Sequence, residues 1–214
     1  MMEVSNSQED KSAIVEDADL EAVLLCQKGD VEAFGILVER YQKKMLNVAF
    51  RMIGDYEESC DVVQESFIAA FRAISKFRRE ARFSTWLYGI VVNSTRNRLL
   101  QLKSKKTRLT SAEFCPDLSP GKTGCGCSCQ EVSVPQNSVL EDLERKERDA
   151  QVQKCIGLLD EGYREILVLR DIQGLSYDEI VSTLKIPMGT VRSRLFRARN
   201  NLKDLLLQRM GDFS

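Results

Sequence analysis

The chain has 214 residues, with 31 Lys and Arg against 32 Asp and Glu, seven cysteines and no histidine. That length allows one or two domains with a real buried core. The absence of histidine excludes Ser-His-Asp and Cys-His nucleophile chemistry and every zinc site built on imidazole. No basic segment leads into an apolar stretch at the start, and no apolar run approaches about 18 residues. The expectation is a cytoplasmic protein of a reducing compartment, with no stable membrane insertion.

In chain order the periodicity predicts helices and no convincing strand. Asp19 is placed to cap a short helix stopping at Gly29. Asp30 is placed to cap a long one carrying Phe34, Leu37, Val38, Tyr41, Val48 and Met52 on one face and ending at Gly54. Asp55 and Glu58 have the spacing of a capping box ahead of a helix with Val62, Val63, Phe67, Phe71 and Ile74 inward. Phe77 to Phe83 is too basic and irregular to bury and reads as a loop, after which Ser84 is placed to cap a helix running to about Leu102. Residues 103–138 hold three of the four prolines and four of the cysteines among Gly, Ser and Thr, the composition of a flexible linker.

Beyond the linker, 139–159 and 162–173 read as helices, the second ending at Gly174. Ser176 and Glu179 form a capping box for a short helix to Leu184. Pro187 lacks an amide hydrogen and disfavours helix at Ile186, so the chain breaks there. A last helix opens at Gly189 or Thr190 and runs to about Gln208, completing a helix-turn-helix. The fold class is all-α: two small helical domains joined by a linker, the C-terminal one a helix-turn-helix.

The formal net charge of −1 hides a strong segregation. Residues 1–21 carry seven acids and one base, residues 72–108 eleven bases and one acid, and residues 190–203 five bases and no acid. Either basic block alone reads equally as a solvated helix face, but two in a neutral chain suggest two surfaces for a polyanion. On the last helix Val191, Leu195, Ala198, Leu202, Leu205 and Leu206 share one stripe at about 100° per residue. Ser193, Arg194 and Arg197 lie opposite, with Arg192, Arg199 and Lys203 along one flank. A helix that reads the major groove needs this division, because Arg pairs bidentately with guanine and flanking cations hold phosphates. In the other block Phe77, Phe83, Trp86 and Tyr88 interleave with Arg78, Arg79, Arg82, Ser84 and Thr85, a composition suited to unstacked bases. Trp86 reads better as core.

Three segments carry a family resemblance: D-V-V-Q-E-S-F at 61–67, F-S-T-W-L-Y-G-I-V-V-N at 83–93, and L-S-Y-D-E-I with G-T-V-R-S-R-L-F-R-A-R at 175–180 and 189–199. The chain resembles a bacterial RNA polymerase sigma factor of the extracytoplasmic-function class, in the sigma-70 family. The resemblance implies an acidic leader at 1–17, region 2 at 18–102 and region 4 at 139–208. It implies core RNA polymerase as partner, through the β′ clamp helices and β flap, promoter DNA, and an anti-sigma factor whose identity the sequence does not give. Arg40, Tyr41, Asp61, Gln64, Glu65 and Phe67 would serve the polymerase. Phe77, Arg78, Arg79, Arg82, Phe83, Ser84, Thr85, Asn93 and Arg96 would capture an extruded base and strand of the −10 element. Arg170, Thr190, Arg192, Ser193, Arg194, Phe196 and Arg197 would meet the −35 element, although Phe196 sits at the rim of the apolar stripe and reads equally as packing. No catalytic group and no cofactor is required.

The linker departs from the family pattern. Cys115, Cys125, Cys127 and Cys129 include a C-G-C-S-C run whose thiols can reach one soft metal or form a redox-active disulfide. Unliganded cysteines in a solvated linker remain the plainer reading. The alternative function is a thiol-based metal- or redox-responsive DNA-binding regulator. Cys26, Cys60 and Cys155 fall within helices and read as small buried apolar residues.

Overall fold

In the computed structural model, residues 18–111 and 139–211 are described, and all regular structure among them is helical. The helices are α1 (Leu20–Gln27), α2 (Val31–Ile53), α3 (Tyr56–Ala73), α4 (Phe83–Ser111), α5 (Val139–Leu158), α6 (Glu161–Leu167), α7 (Tyr177–Leu184) and α8 (Met188–Gly211). A 3₁₀ turn at Ile74–Lys76 follows α3, and α6 continues into a widened π turn at Val168–Ile172.

Several ends follow from local chemistry. Asp30 accepts from the amides of Glu32 and Ala33 at 2.9 and 3.2 Å and so caps α2. That helix ends where Gly54 takes a left-handed φ of 86°, a conformation without penalty only for glycine. The Ser176–Glu179 box is complete: Glu179 N–H donates to Ser176 Oγ at 3.2 Å, and Ser176 N–H to Glu179 Oε2 at 2.8 Å. After α7, Lys185 turns left-handed at φ 55°, and the Pro187 carbonyl accepts the first amides of α8 at 2.9 and 3.1 Å.

Four local expectations change. Asp19 precedes α1 but makes no side-chain cap; its carboxylate is buried and accepts from Arg40 and Tyr41 of α2 instead. Asp55 receives the Glu58 amide at 2.9 Å, while the Glu58 carboxylate turns outward to Arg98, leaving half of the box. Helix α4 begins at Phe83, ahead of Ser84, with Arg82 O accepting the Trp86 amide at 3.1 Å. It also continues to Ser111, inside the segment that composition assigns to the linker, since no glycine or proline interrupts 90–111.

In the N-terminal half, α2, α3 and α4 pack against one another, with α1 against α2. Leu37, Met45, Val48, Ala49, Ala70, Leu87 and Val91 are sealed at the centre. In the C-terminal half, Ile156, Ile166, Leu169, Ile180, Val191 and Leu195 bury α5 to α8 against one another. The two halves also touch directly: α7 lies on α4, and α5 and α6 on the C-terminal part of α2. Buried residues from both halves belong to one contiguous apolar cluster.

Candidate nucleic-acid interface

Helix α8 is fixed by its apolar stripe. Val191, Leu195 and Ala198 are sealed against the rest of the C-terminal half, and Leu202, Leu205 and Leu206 are half-buried. The opposite face therefore must look outward. Arg192, Ser193, Phe196 and Arg197 are exposed, with Thr190 and Arg194 half-buried beside them. Phe196 is 69% exposed, so the packing reading of that ring fails and an apolar group stands among the cations. Arg199 makes a bidentate pair with Asp171, at 3.0 and 2.5 Å, which raises its pKa and holds α8 to the end of the π turn. Arg170 is engaged within the protein: it donates to Leu175 O at 2.6 Å and lies 4.9 Å from the Tyr177 ring. In this geometry it braces the turn between the π turn and α7.

The second basic block forms a cavity of about 390 Å³ at the start of α4. Phe77 and Trp86 meet on one wall with ring centres 4.8 Å apart and planes tilted by 32°, and the exposed Asn93 lies on α4. Lys76, Arg78 and Arg79 supply cations at the rim, Arg79 at a left-handed φ of 61°. One expected residue, Phe83, is not at this surface, and Thr85 lines the cavity floor with little exposure. Phe83 is fully buried, packed between Tyr41, Phe77 and Trp86, because it opens α4 on the inward side. Thr85 is only 4% exposed, and its carbonyl accepts from Thr183 of α7 at 3.5 Å. Ser84 is half-buried and Arg82 exposed, with Arg82 3.8 Å from Glu179. Arg96 lies a turn beyond Asn93, and both its Nε and Nη2 donate to Glu165 at 2.6 Å.

A third face is acidic. Asp61, Gln64 and Glu65 are exposed on α3, and Arg40 is exposed on α2. Phe67 and Tyr41, each 8% exposed, lie beneath that face: Phe67 meets Phe34 edge-on at 6.4 Å, and Tyr41 holds Asp19. Neither ring presents itself to a partner. Apart from Val31 and Tyr56 at their first residues, the exposed large apolar groups of α2 and α3 are Ile36, Ile68 and Phe71, at 52%, 45% and 40%. Ile36 and Ile68 lie outside the periodic inward faces, which was the available signal for them, whereas Phe71, expected inward, is exposed instead.

Cys115, Cys125, Cys127 and Cys129 lie outside the described residues. Cys26 and Cys155 are buried and Cys60 half-buried. Among the described residues no group of three His, Cys, Asp or Glu is arranged to hold a metal ion, and no helix is long and apolar enough to cross a membrane.

A helix-turn-helix with a cation-bearing outer face, beside a basic cavity walled by aromatic rings, defines an all-α DNA-binding protein. Its relatives make the class specific. Residues 37–105 match Sigma-70 region 2, and residues 149–202 match Sigma-70 region 4. The RNA polymerase sigma-H factor of Pseudomonas aeruginosa is 35% identical over 90% of this chain and 96% of its own. The ECF RNA polymerase sigma-E factor of Salmonella typhimurium is 40% identical over 81% of this chain and 86% of its own. The solved structure of CnrH in complex with the cytosolic domain of CnrY aligns with a TM-score of 0.61 at 26% identity, covering 89% of this chain and 97% of that one. The fold is shared as well, at 19% identity and a TM-score of 0.59, with the sigma factor RpoE in complex with the anti-sigma factor NepR from Bartonella quintana. The chain belongs to the sigma-70 family, as a sigma factor of the extracytoplasmic-function type.

Proposed function

We propose that this chain is a promoter-specificity subunit: it joins core RNA polymerase, reads the −35 element with α8 and captures the melted −10 strand with the loop 77–82 and α4. Residues 18–102 serve as region 2, residues 139–208 as region 4, residues 1–17 as an acidic leader and residues 103–138 as the connection. The chain is not an enzyme; polymerase performs the chemistry, in the cytoplasm. An anti-sigma factor holds it inactive until a signal arrives.

The division of α8 carries the reading. A sealed stripe of Val191, Leu195 and Ala198 orients Arg192, Ser193, Phe196 and Arg197 outward along the N-terminal half of the helix, the part that enters a major groove. At the −10 site, Phe77 and Trp86 offer stacking area and Asn93 a hydrogen-bonding amide, while Arg78 and Arg79 follow the backbone. Holding a flipped base there makes strand opening cheaper without any catalytic group. Two weak DNA contacts on one chain raise each other's effective concentration. The acidic face of α3, with Ile36, Ile68 and Phe71 beside it, is assigned to polymerase.

The test is direct binding. Labelled full-length chain should co-elute with core polymerase and compete with another sigma factor for it. A chain that binds promoter duplex yet never binds core polymerase would be an independent DNA-binding regulator.

A further inference from the structure

The two DNA-facing surfaces sit too close together to serve both promoter elements. Lys185, at the end of α7, lines the same cavity as Phe77 and Asn93. Arg197 follows it by twelve residues, helical from Met188 onward, so the two are no more than about 25 Å apart along the chain path. Elements at −35 and −10 are separated by about 85 Å of duplex at about 3.4 Å per base pair. The packed arrangement therefore cannot occupy both, and the halves must separate before initiation.

Beside the apolar cluster they share, several polar bonds join them. The Glu165 side chain is 6% exposed and takes both hydrogen bonds of the Arg96 fork. Arg164 donates to Met52 O at the end of α2 at 2.6 Å, and Gln153 Nε2 to Phe50 O at 3.1 Å. Tyr88 OH donates to Gln173 at 3.2 Å, and Lys103 lies 2.5 Å from Glu161. One contact differs in kind, since Arg96 is itself a cation of the −10 face.

We propose that Glu165 is an internal decoy for Arg96: in the packed form its carboxylate occupies the guanidinium that a −10 strand phosphate takes in the open form, so closure and strand capture exclude each other. Glu165 and Glu179 also bring negative charge to the edge of the −10 surface, where a strand would lie. Binding energy from promoter or polymerase must first break the pair. The decoy rests on the −10 assignment of Arg96, and the experiment separates the two.

The experiment uses the full chain with two readouts: radius of gyration by small-angle scattering, and anisotropy of a fluorescein-labelled single-stranded −10 oligonucleotide. Glu165→Gln keeps the shape and removes the charge. Losing a charge-assisted pair of this kind moves the open-to-closed ratio by about tenfold. The radius should rise, and strand affinity should rise by about the same factor, because only the open fraction binds. Arg96→Gln should open the chain equally but gain less affinity than Glu165→Gln, having lost its own strand contact. Gln153→Ala is the independent opener: it removes the hydrogen bonds that Gln153 makes to Phe50 and Arg51 across the halves, at residues that do not line the −10 cavity. It decides alone should Glu165→Gln lose its helical circular dichroism. Unchanged radius and affinity in a folded Glu165→Gln overturns the decoy, as does a larger radius with no gain in strand affinity while the wild type binds. Failure of every variant, open or closed, to bind the strand overturns the −10 assignment and the decoy with it.

Discussion

Arg197→Ala is the sharpest probe of α8. Arg197 is exposed, and the sealed residues Leu195 and Ala198 beside it stay in place when it is truncated. The fold should lose no more than about 0.5 kcal/mol. If the guanidinium pairs bidentately with a guanine of the −35 element, its removal costs about 1–3 kcal/mol of binding and discrimination at that base pair. That corresponds to about a 5- to 150-fold weaker complex with the preferred duplex and little change with a duplex substituted at that position. Arg199→Ala is the internal comparison. Its side chain is 52% exposed and paired with Asp171, so its loss should cost less than about 1 kcal/mol of stability. Any DNA effect there should be uniform across sequences and lower the salt slope by about one. The assay is fluorescence anisotropy on a set of −35 duplexes carrying single base-pair changes, at several salt concentrations. A uniform loss for Arg197→Ala with a reduced salt slope would make it a phosphate contact and refute the base-reading role.

Ile68→Asp or Phe71→Asp should weaken core polymerase binding at least tenfold while leaving −35 duplex affinity unchanged, as measured by competition for core enzyme; equal loss of both would mean a folding defect. Ser176→Ala removes one half of a complete capping box and should lower stability by about 1 kcal/mol, read as a fall in denaturant midpoint with unchanged slope. Tyr88 is only 5% exposed, and burial followed by the charge of Glu179 pushes its pKa up to about 12. The folded state then holds the phenol proton more tightly than the unfolded chain, whose tyrosine titrates at about 10. That contribution is complete below pH 10 and is lost as pH rises through about 12. Tyr88→Phe should flatten that part of the pH–stability curve, and two parallel curves would contradict the burial.

The elements whose ends rest on local chemistry were open to reading from the sequence. Asp30, Gly54, Ser176, Glu179, Gly174 and Pro187 act through bonds to residues a few positions away, so their spacing alone sets the helix boundaries. The inward stripe of α8 was legible for the same reason. Features set by packing between distant segments were not. Phe67 and Phe71 both read as inward on α3 and both meet the ring of Phe34, yet one is sealed and the other left 40% exposed, a difference that tertiary packing sets and periodicity does not. Phe83 and Asp19 carry the signals of a base-stacking ring and a helix cap, but the core around Tyr41 claims both. The π turn at Val168–Ile172 has no sequence mark. The Arg96–Glu165 pair joins residues 69 positions apart, and only the docking of the two halves brings it together.

The central claim, that this chain gives core polymerase its choice of promoter, is tested most directly by run-off transcription. Purified core enzyme, with and without the chain, is offered a promoter library varied at the −35 and −10 elements. The account predicts defined transcripts only when the chain is present, from templates sharing one −35 and one −10 sequence, with Arg197→Ala relaxing selection at a single −35 position. Transcription unchanged by the chain, or stimulated without regard to either element, would contradict it.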